Sequence, residues 1–243
     1  MARVLSVLFG VVAYCIFLAT FLYLIAFVGD LPGAPRTVSH GPAATLPAAL
    51  LTDVLLIALF GLQHSMMARS GFKRAWTRII PAVIERSVYV LVTSAVLLVM
   101  FYFWLPIPTV VWSVTNALAA GTLWALFAIG WLIVLLSTFL INHFELFGLQ
   151  QVYRNFRGSS ALEPKFRQPF FYKIVRHPLY SGFLIAFWAT PVMTVSHLLF
   201  AAGMTTYIVI AIGYEERDLT TLFGQQYSDY KSRVGMLAPR MGR

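Results

Sequence analysis

Four stretches of this chain, 4–28, 45–67, 88–105 and 116–141, are apolar enough to read as membrane-crossing helices. A hydrocarbon core of ~30 Å needs ~20 apolar residues in a helix, where each backbone donor and acceptor is satisfied within the segment. The first stretch is 25 residues without a charge, longer than the ~7 to 15 residue core of a signal peptide, so it reads as a retained span. A fifth apolar region, 178–213, has 36 residues and no Asp, Glu, Lys or Arg. That is too long for one ordinary span and just enough for two short ones. Pro191 and Ser196-His197 offer a break near its middle, which predicts a helical hairpin that need not cross fully. Beyond it Leu219, Phe223, Tyr227, Tyr230 and Val234 recur at helical spacing and predict an amphipathic tail helix over 214–234. The expected fold is an all-α integral membrane protein. It is a bundle of five to six transmembrane helices, the hairpin included, with a cytoplasmic tail helix. No repeat, low-complexity tract or linker divides it, so 1–243 reads as a single domain.

Composition agrees, with 59% hydrophobic and 11% charged residues, the reverse of a soluble domain's balance. A net charge of +9 raises nucleic acid as a partner, but the basic residues sit between apolar runs and not in an aromatic-interleaved module. The lipid bilayer is the expected partner, and no feature of the pattern sets an oligomeric state. The connection 68–87 holds Arg69, Lys73, Arg74, Arg78 and Arg86, the connection 142–177 holds six basic residues, and five follow from 214 onward. Only Arg36 lies between the first two spans and none between the third and fourth. Cytoplasmic loops carry the excess of Lys and Arg, so those three basic segments are expected in the cytoplasm. Cys15 is the only cysteine, which leaves no disulfide framework and no cysteine metal site.

Two polar clusters bracket the hairpin: Arg176-His177-Pro178-Leu179-Tyr180-Ser181-Gly182 before it and Glu215-Glu216-Arg217-Asp218 after it. His177 and Tyr180 are three apart and form, with Arg176, a polar face at the hairpin mouth. Gly182 permits close approach of a backbone or a ligand. Glu216 is in phase with Phe223, Tyr227 and Val234 and so is expected on the apolar side, with Glu215 about a quarter turn away. Asn142, His143 and Glu145 end the fourth span and Gln63-His64 the second, places where a histidine is also favoured by the helix dipole. Asp53, inside the second span, reads either as a functional intramembrane acid or as one buried in an interhelical hydrogen bond.

The segments RHPLYSG, EERDL and FGQQYSDYKSRV together resemble the carboxyl-terminal signature of isoprenylcysteine carboxyl methyltransferases and phospholipid methyltransferases. QHSMMAR (63–69), INHFELFGLQQVY (141–153) and FYKIVRHPLYSGFLIAFWATPVMT (171–194) resemble more narrowly the methanethiol S-methyltransferase family, among the NnrU-like membrane proteins. The likeness covers most of residues 60–240, and its one departure is Gly235, where a proline is expected. The resemblance implies methyl transfer from S-adenosylmethionine to a small volatile thiol, methanethiol giving dimethyl sulfide, with hydrogen sulfide as a further acceptor and S-adenosylhomocysteine as the product. It implies that Arg176, His177, Tyr180, Gly182, Glu215 and Glu216 bind the cofactor's carboxylate, ammonium, ribose and adenine, with Glu216, by its helical phase, the favoured contact if only one of the two acids serves. It makes His143 the first candidate for the base that forms the thiolate, with Glu145 or Asn142 orienting it and His64 lining the pocket. A thiol of pKa ~8.5 gains from a nearby imidazole at neutral pH. No metal is called for, and the location implied is the inner membrane of a bacterium with the site facing the cytoplasm. Two alternatives stay open: a prenylcysteine or phospholipid as acceptor, and a haem-dependent isomerase of the carotenoid type, held by His64 and His143.

Overall fold

The computed structural model describes residues 1–159 and 166–240; Lys165 and Arg243, two of the basic residues counted above, lie outside the described residues. In chain order the elements are α1 (Ala2–Val28), α2 (Leu46–Ala68), α3 (Ser70–Trp76), α4 (Glu85–Phe103), β1 (Val110–Ser113), α5 (Ala117–Ile141) and α6 (His143–Leu146). There follow α7 (Leu149–Arg157), α8 (Pro178–Trp188), β2 (Val192–Thr194), α9 (Val195–Phe223) and α10 (Gln225–Arg233). The chain is nearly all-α, with β1 and β2 paired in one two-stranded ladder. Helices α1, α2, α5, α9 and the stretch Ala82–Phe103 are long and apolar enough to cross a membrane, and the protein is a multi-pass membrane protein. The described residues group into two compact units, the first holding Met1–Thr109, 142–159 and Thr194–Phe200, the second Val110–Ile141, 166–193 and 201–240.

In the first unit α4 packs on both α1 and α2, and α7 packs on α1. The core at one end is aromatic: Phe27 lies 4.9 Å from Phe101 and 5.8 Å from Trp104, ring centre to ring centre, and Trp104 lies 5.8 Å from Phe200. The connection between α1 and α2 is tied down there by polar contacts. Val38 offers its carbonyl to Trp104 Nε1 at 3.1 Å and to Ser196 Oγ at 2.8 Å. Asp53 is wholly buried in α2, and its Oδ1 accepts the Leu105 amide at 2.9 Å, just past the end of α4. Of the two expectations for this acid, the hydrogen bond between elements is the one the geometry supplies.

The second unit is built on α5 and α8, which meet backbone to backbone. A Cβ added to Gly182 would stand 2.7 Å from the Gly130 carbonyl and 2.9 Å from the Val134 amide, and one on Gly130 would stand 2.7 Å from the Ala186 amide. Small residues at such a crossing let helices approach closely where lipid supplies no hydrophobic drive. The predicted hairpin is α8 and α9, with its break at Pro191. Its first arm has 11 residues, only ~16 Å of helix, about half the hydrocarbon thickness. The extended backbone after it is satisfied by pairing, the Val114 amide donating to the Pro191 carbonyl at 2.8 Å and Trp112 Nε1 to the Thr190 carbonyl at 3.2 Å. The second arm does not stop at Gly213, as the sequence predicts, but continues as helix to Phe223. Its 29 residues make ~43 Å, so the acidic pair extends the span beyond the apolar core. The break falls instead at Gly224, whose φ of 55° and ψ of −128° suit a residue without a Cβ. The tail helix is therefore the nine residues of α10.

The glycine crossing generates a prediction. Gly182→Ala and Gly130→Ala force backbone apart and should each cost about 1–3 kcal/mol, lowering the thermal midpoint in detergent. Gly121→Ala, with nothing within 4 Å of the added methyl, should not lower it. Equal midpoints for all three variants would show that the crossing is loose.

Candidate functional site

The two clusters that bracket the hairpin come together in the second unit. Pro178 starts α8 at its first turn, where a missing N–H costs nothing, and leaves Arg176 and His177 just outside the helix. Glu216, three turns along from Thr205 on α9, projects inward as its phase predicts, with 6% of its surface exposed. Its Oε1 accepts from Arg176 Nε at 2.8 Å and meets His177 Nε2 at 3.1 Å, and its Oε2 pairs with Lys231 Nζ at 2.7 Å. Glu215 is nearly half exposed; its Oε2 accepts the Tyr180 hydroxyl at 3.0 Å and stands 3.9 Å from His177 Nδ1. One glutamate thus closes an ion cluster, while the other carries a tyrosine toward the open side. Gly182 sits at the crossing with α5 described above, which accounts for its size.

The segment after α10 is bound to the same cluster by its backbone. The Arg176 and His177 amides donate to the Gly235 and Met236 carbonyls at 2.8 and 3.1 Å, and Arg176 Nη1 donates to the Lys231 and Val234 carbonyls. Ser181 Oγ adds a bond to the Leu237 carbonyl at 2.7 Å. Gly235 is where this chain lacks the expected proline, and the structure supplies a reason: any Cβ there would run into the Ala238 carbonyl. Three tyrosines wall the cluster. Burial holds the Tyr172 and Tyr227 phenols well above their ordinary value and pushes Tyr230 up to about 12, so all three stay protonated donors. Tyr230 donates to the Tyr172 carbonyl at 2.6 Å. The Tyr227 hydroxyl is buried and has no hydrogen-bond partner among the described residues. Lys231 and Tyr227 are the members that motif reading misses; their spacing on the tail helix marks them only as polar and apolar faces.

The other candidates belong to the first unit. Asn142 caps the short α6: its Oδ1 accepts the Glu145 amide at 3.3 Å, and its Nδ2 donates to Glu145 Oε2 and Gln150 Oε1 at 2.7 and 2.8 Å. His143 is 6% exposed, with Nε2 2.8 Å from the Tyr14 hydroxyl and its ring edge-on to Phe147 at 4.9 Å. Phe17 stacks on Phe147 at 4.0 Å and completes the wall. Burial holds the imidazole below its ordinary value, so it is neutral at pH 7. Tyr14 is a second partner missed from sequence, because a tyrosine inside an apolar span reads as membrane-facing. His64 stacks on Phe60 at 5.3 Å and has Nδ1 3.3 Å from Thr93 Oγ1, while Arg86 covers the neighbouring Tyr89 ring at 5.0 Å.

Comparison with known proteins finds near-full-length relatives. The chain is 50% identical over 239 residues to the methanethiol S-methyltransferase of Mycobacterium tuberculosis, covering 98% of each chain. It is 51% identical over 242 residues to that of Pseudomonas deceptionensis, covering 100% of this chain and 92% of the relative. More distantly, it is 31% identical over 227 residues to nurim of Rattus norvegicus, covering 84% and 83%. No family model and no solved structure matches it.

The buried imidazole predicts a pH effect whose sign is set by its lowered value. A histidine whose folded pKa lies below the unfolded ~6.5 contributes stability that is full above that pH and is lost as pH falls through it. Between pH 7 and 5 the thermal midpoint should therefore drop more steeply in the native protein than in His143→Phe, which keeps the ring contacts without titrating. Parallel profiles would mean that the imidazole is open to water.

Proposed function

This chain belongs to the methanethiol S-methyltransferase family, and from that membership we propose that it transfers a methyl group from S-adenosylmethionine to methanethiol, giving dimethyl sulfide and S-adenosylhomocysteine. One observation carries the assignment of the cofactor to this chain: RHPLYSG and EERDL, 40 residues apart at Arg176 and Glu216, are joined by direct contacts around a buried carboxylate. The donor set suits the cofactor's groups. Tyr180 and the half-exposed Glu215 offer a hydroxyl and a carboxylate for the ammonium, His177 and the Arg176 region offer positive charge for the carboxylate, and the unpartnered Tyr227 hydroxyl offers a donor for a polar oxygen. Bound there, S-adenosylmethionine supplies an electrophilic methyl carbon on a sulfonium. Glu216, favoured from its helical phase, is already engaged by Arg176, His177 and Lys231 and holds the shape of the cluster, so Glu215 is proposed in its place as the acid that meets the ligand.

His143 is the proposed base. Neutral at pH 7, its imidazole takes the S–H proton of the thiol, with Tyr14 fixing the ring. S-adenosylmethionine, if bound, would supply the methyl group that this thiolate accepts, and S-adenosylhomocysteine would be the leaving group. Asn142 and Glu145 secure the α6 turn that carries the histidine, and His64 shapes the same unit. His64 and His143 each meet a hydroxyl of the protein, Thr93 and Tyr14, which gives both a role that needs no haem. The proposed setting is the bacterial inner membrane, with the basic connections 68–87 and 142–177 and the residues after α9 on the cytoplasmic side.

Purified protein given labelled cofactor should pass the label to methanethiol and not to a prenylcysteine or to phosphatidylethanolamine; label in either of the latter would replace the thiol reading. Tyr180→Phe and Glu215→Gln should weaken S-adenosylhomocysteine binding by about one to two decades in calorimetry, as expected for charge-assisted contacts. His143→Ala should cut turnover ~10²-fold with that affinity nearly kept, and should recover as pH rises and thiolate forms in solution. Loss of affinity in step with turnover would move His143 into the binding site.

Topology has its own test. In a Cys15→Ser background, cysteines placed at 157 and 240 should stay unlabelled by an impermeant reagent applied to intact cells. Labelling of either from outside would reverse the orientation.

A further inference from the structure

The hydroxyls of Ser6, Thr20 and Tyr23 on α1 each bond to a backbone carbonyl. Tyr14 differs: its phenol oxygen lies 2.8 Å from Nε2 of His143, 129 residues away in the chain. Two glycines allow that meeting. Gly10 stands one turn before Tyr14, and a Cβ there would come within 2.8 Å of Val152 on α7, so its bareness lets α7 press against α1. Gly148, at φ 88°, turns the chain between α6 and α7 where a Cβ would strike Ser87. The α6 turn is thereby fixed beside α1, with His143 against the phenol.

The imidazole itself is hard to reach. His143 is 6% exposed, and the rings of Phe144 and Phe147 meet it edge-on at 5.5 and 4.9 Å. A neutral imidazole has a single nitrogen that can take a proton. In the tautomer that accepts the phenol's hydrogen bond that nitrogen is Nε2, and the phenol already covers it. Tyr14, by contrast, is only partly buried. An open groove of about 370 Å³ has among its walls Val11, three residues before Tyr14 on α1, and Phe144, the residue after His143. The phenol, more than the ring, is the member of the pair that a small thiol can meet.

We propose that Tyr14 is a catalytic residue that relays the proton from the thiol to His143, an inference that rests on the base assigned to His143 above. The S–H bond breaks and its proton goes to the phenol oxygen, while the phenol's own O–H proton goes to Nε2. The electron pair of the S–H bond stays on sulfur, which leaves as thiolate. The phenol ends neutral and the imidazole ends as imidazolium, so the charges balance within the step. Both transfers run over hydrogen-bond distances about one oxygen, as general base catalysis requires. Once the thiolate is consumed, the imidazolium returns the proton through the same phenol to water.

Turnover of methanethiol by the full-length protein in detergent tests the relay. Tyr14→Phe keeps the ring and removes the hydroxyl; turnover should fall ~10²-fold, as in His143→Ala, with S-adenosylhomocysteine affinity kept, and should recover as pH rises. The double variant should be no slower than the slower single one, because members of one relay fail together. The steep drop in thermal midpoint between pH 7 and 5 should persist in Tyr14→Phe, which shows the imidazole still buried in place. Near-native turnover in Tyr14→Phe beside a loss in His143→Ala would overturn the relay and leave His143 as a base that meets the thiol directly. Loss of turnover together with loss of that pH-dependent drop would also overturn it, making Tyr14 a residue that only holds the ring. A double variant slowed by the product of the two single losses would show two separate contributions and no relay. Full turnover in His143→Ala would remove the base on which the relay depends, and no label on methanethiol with the native protein would remove the reaction itself.

Discussion

A buried carboxylate with three partners organises the second unit. Taking an ion out of water costs several kcal/mol, a cost that only close partners offset, and Glu216 collects Arg176, His177 and Lys231 on its two oxygens. Those partners come from the turn before α8 and from α10, so one side chain joins the entry to the hairpin with the segment beyond its exit. The rest of the path follows. Gly224 reverses the chain so that Lys231 can return to α9, and Gly235 lies flat enough for its carbonyl to take the Arg176 amide. Removing Glu216 would leave Arg176 and Lys231 close together without their acid, which is why these residues act as a group.

The same economy separates the two adjacent glutamates. Helical phase turns Glu216 inward and leaves Glu215 at the rim, where it holds Tyr180. Neighbours in sequence thus have different duties, one to the protein and one, as proposed, to the ligand. In the first unit the imidazole of His143 is set in a different way, by aromatic faces and a single phenol, and carries no charge at neutral pH.

Much of this is legible in the sequence, because a span is a matter of length and polarity. The runs 4–28, 45–67 and 116–141 match α1, α2 and α5 to within a few residues. Helix α4 starts earlier than its apolar run because Arg86 in its first turn is satisfied by the Leu146 carbonyl, so a charge there does not mark a loop. The shortness of α8 is hidden because an extended segment paired with β1 is as apolar as a helix. The end of α9 is hidden as well: Glu215 and Glu216 look like a boundary, yet acids inside a helix are stable when cations reach them. In the site, the phase of Glu216 and the pairing of the two motifs are readable from spacing. Lys231, the carbonyls of 234–236 and Tyr14 are not, since they depend on where a chain reversal and an aromatic contact bring distant residues.

The position of Lys231 bears on how the molecule is made. Chains emerge from the amino terminus onward, so Glu216 is synthesised after Arg176 and His177 but before Lys231 and the carbonyls of 234–236. In that order the acid first has only the earlier-made cation and imidazole as prospective partners, both on one oxygen, and the other oxygen depends on Lys231. Lys231 is thus the last of the three partners of Glu216 to be made, and the last turn of α10 is the clasp that completes the ion cluster.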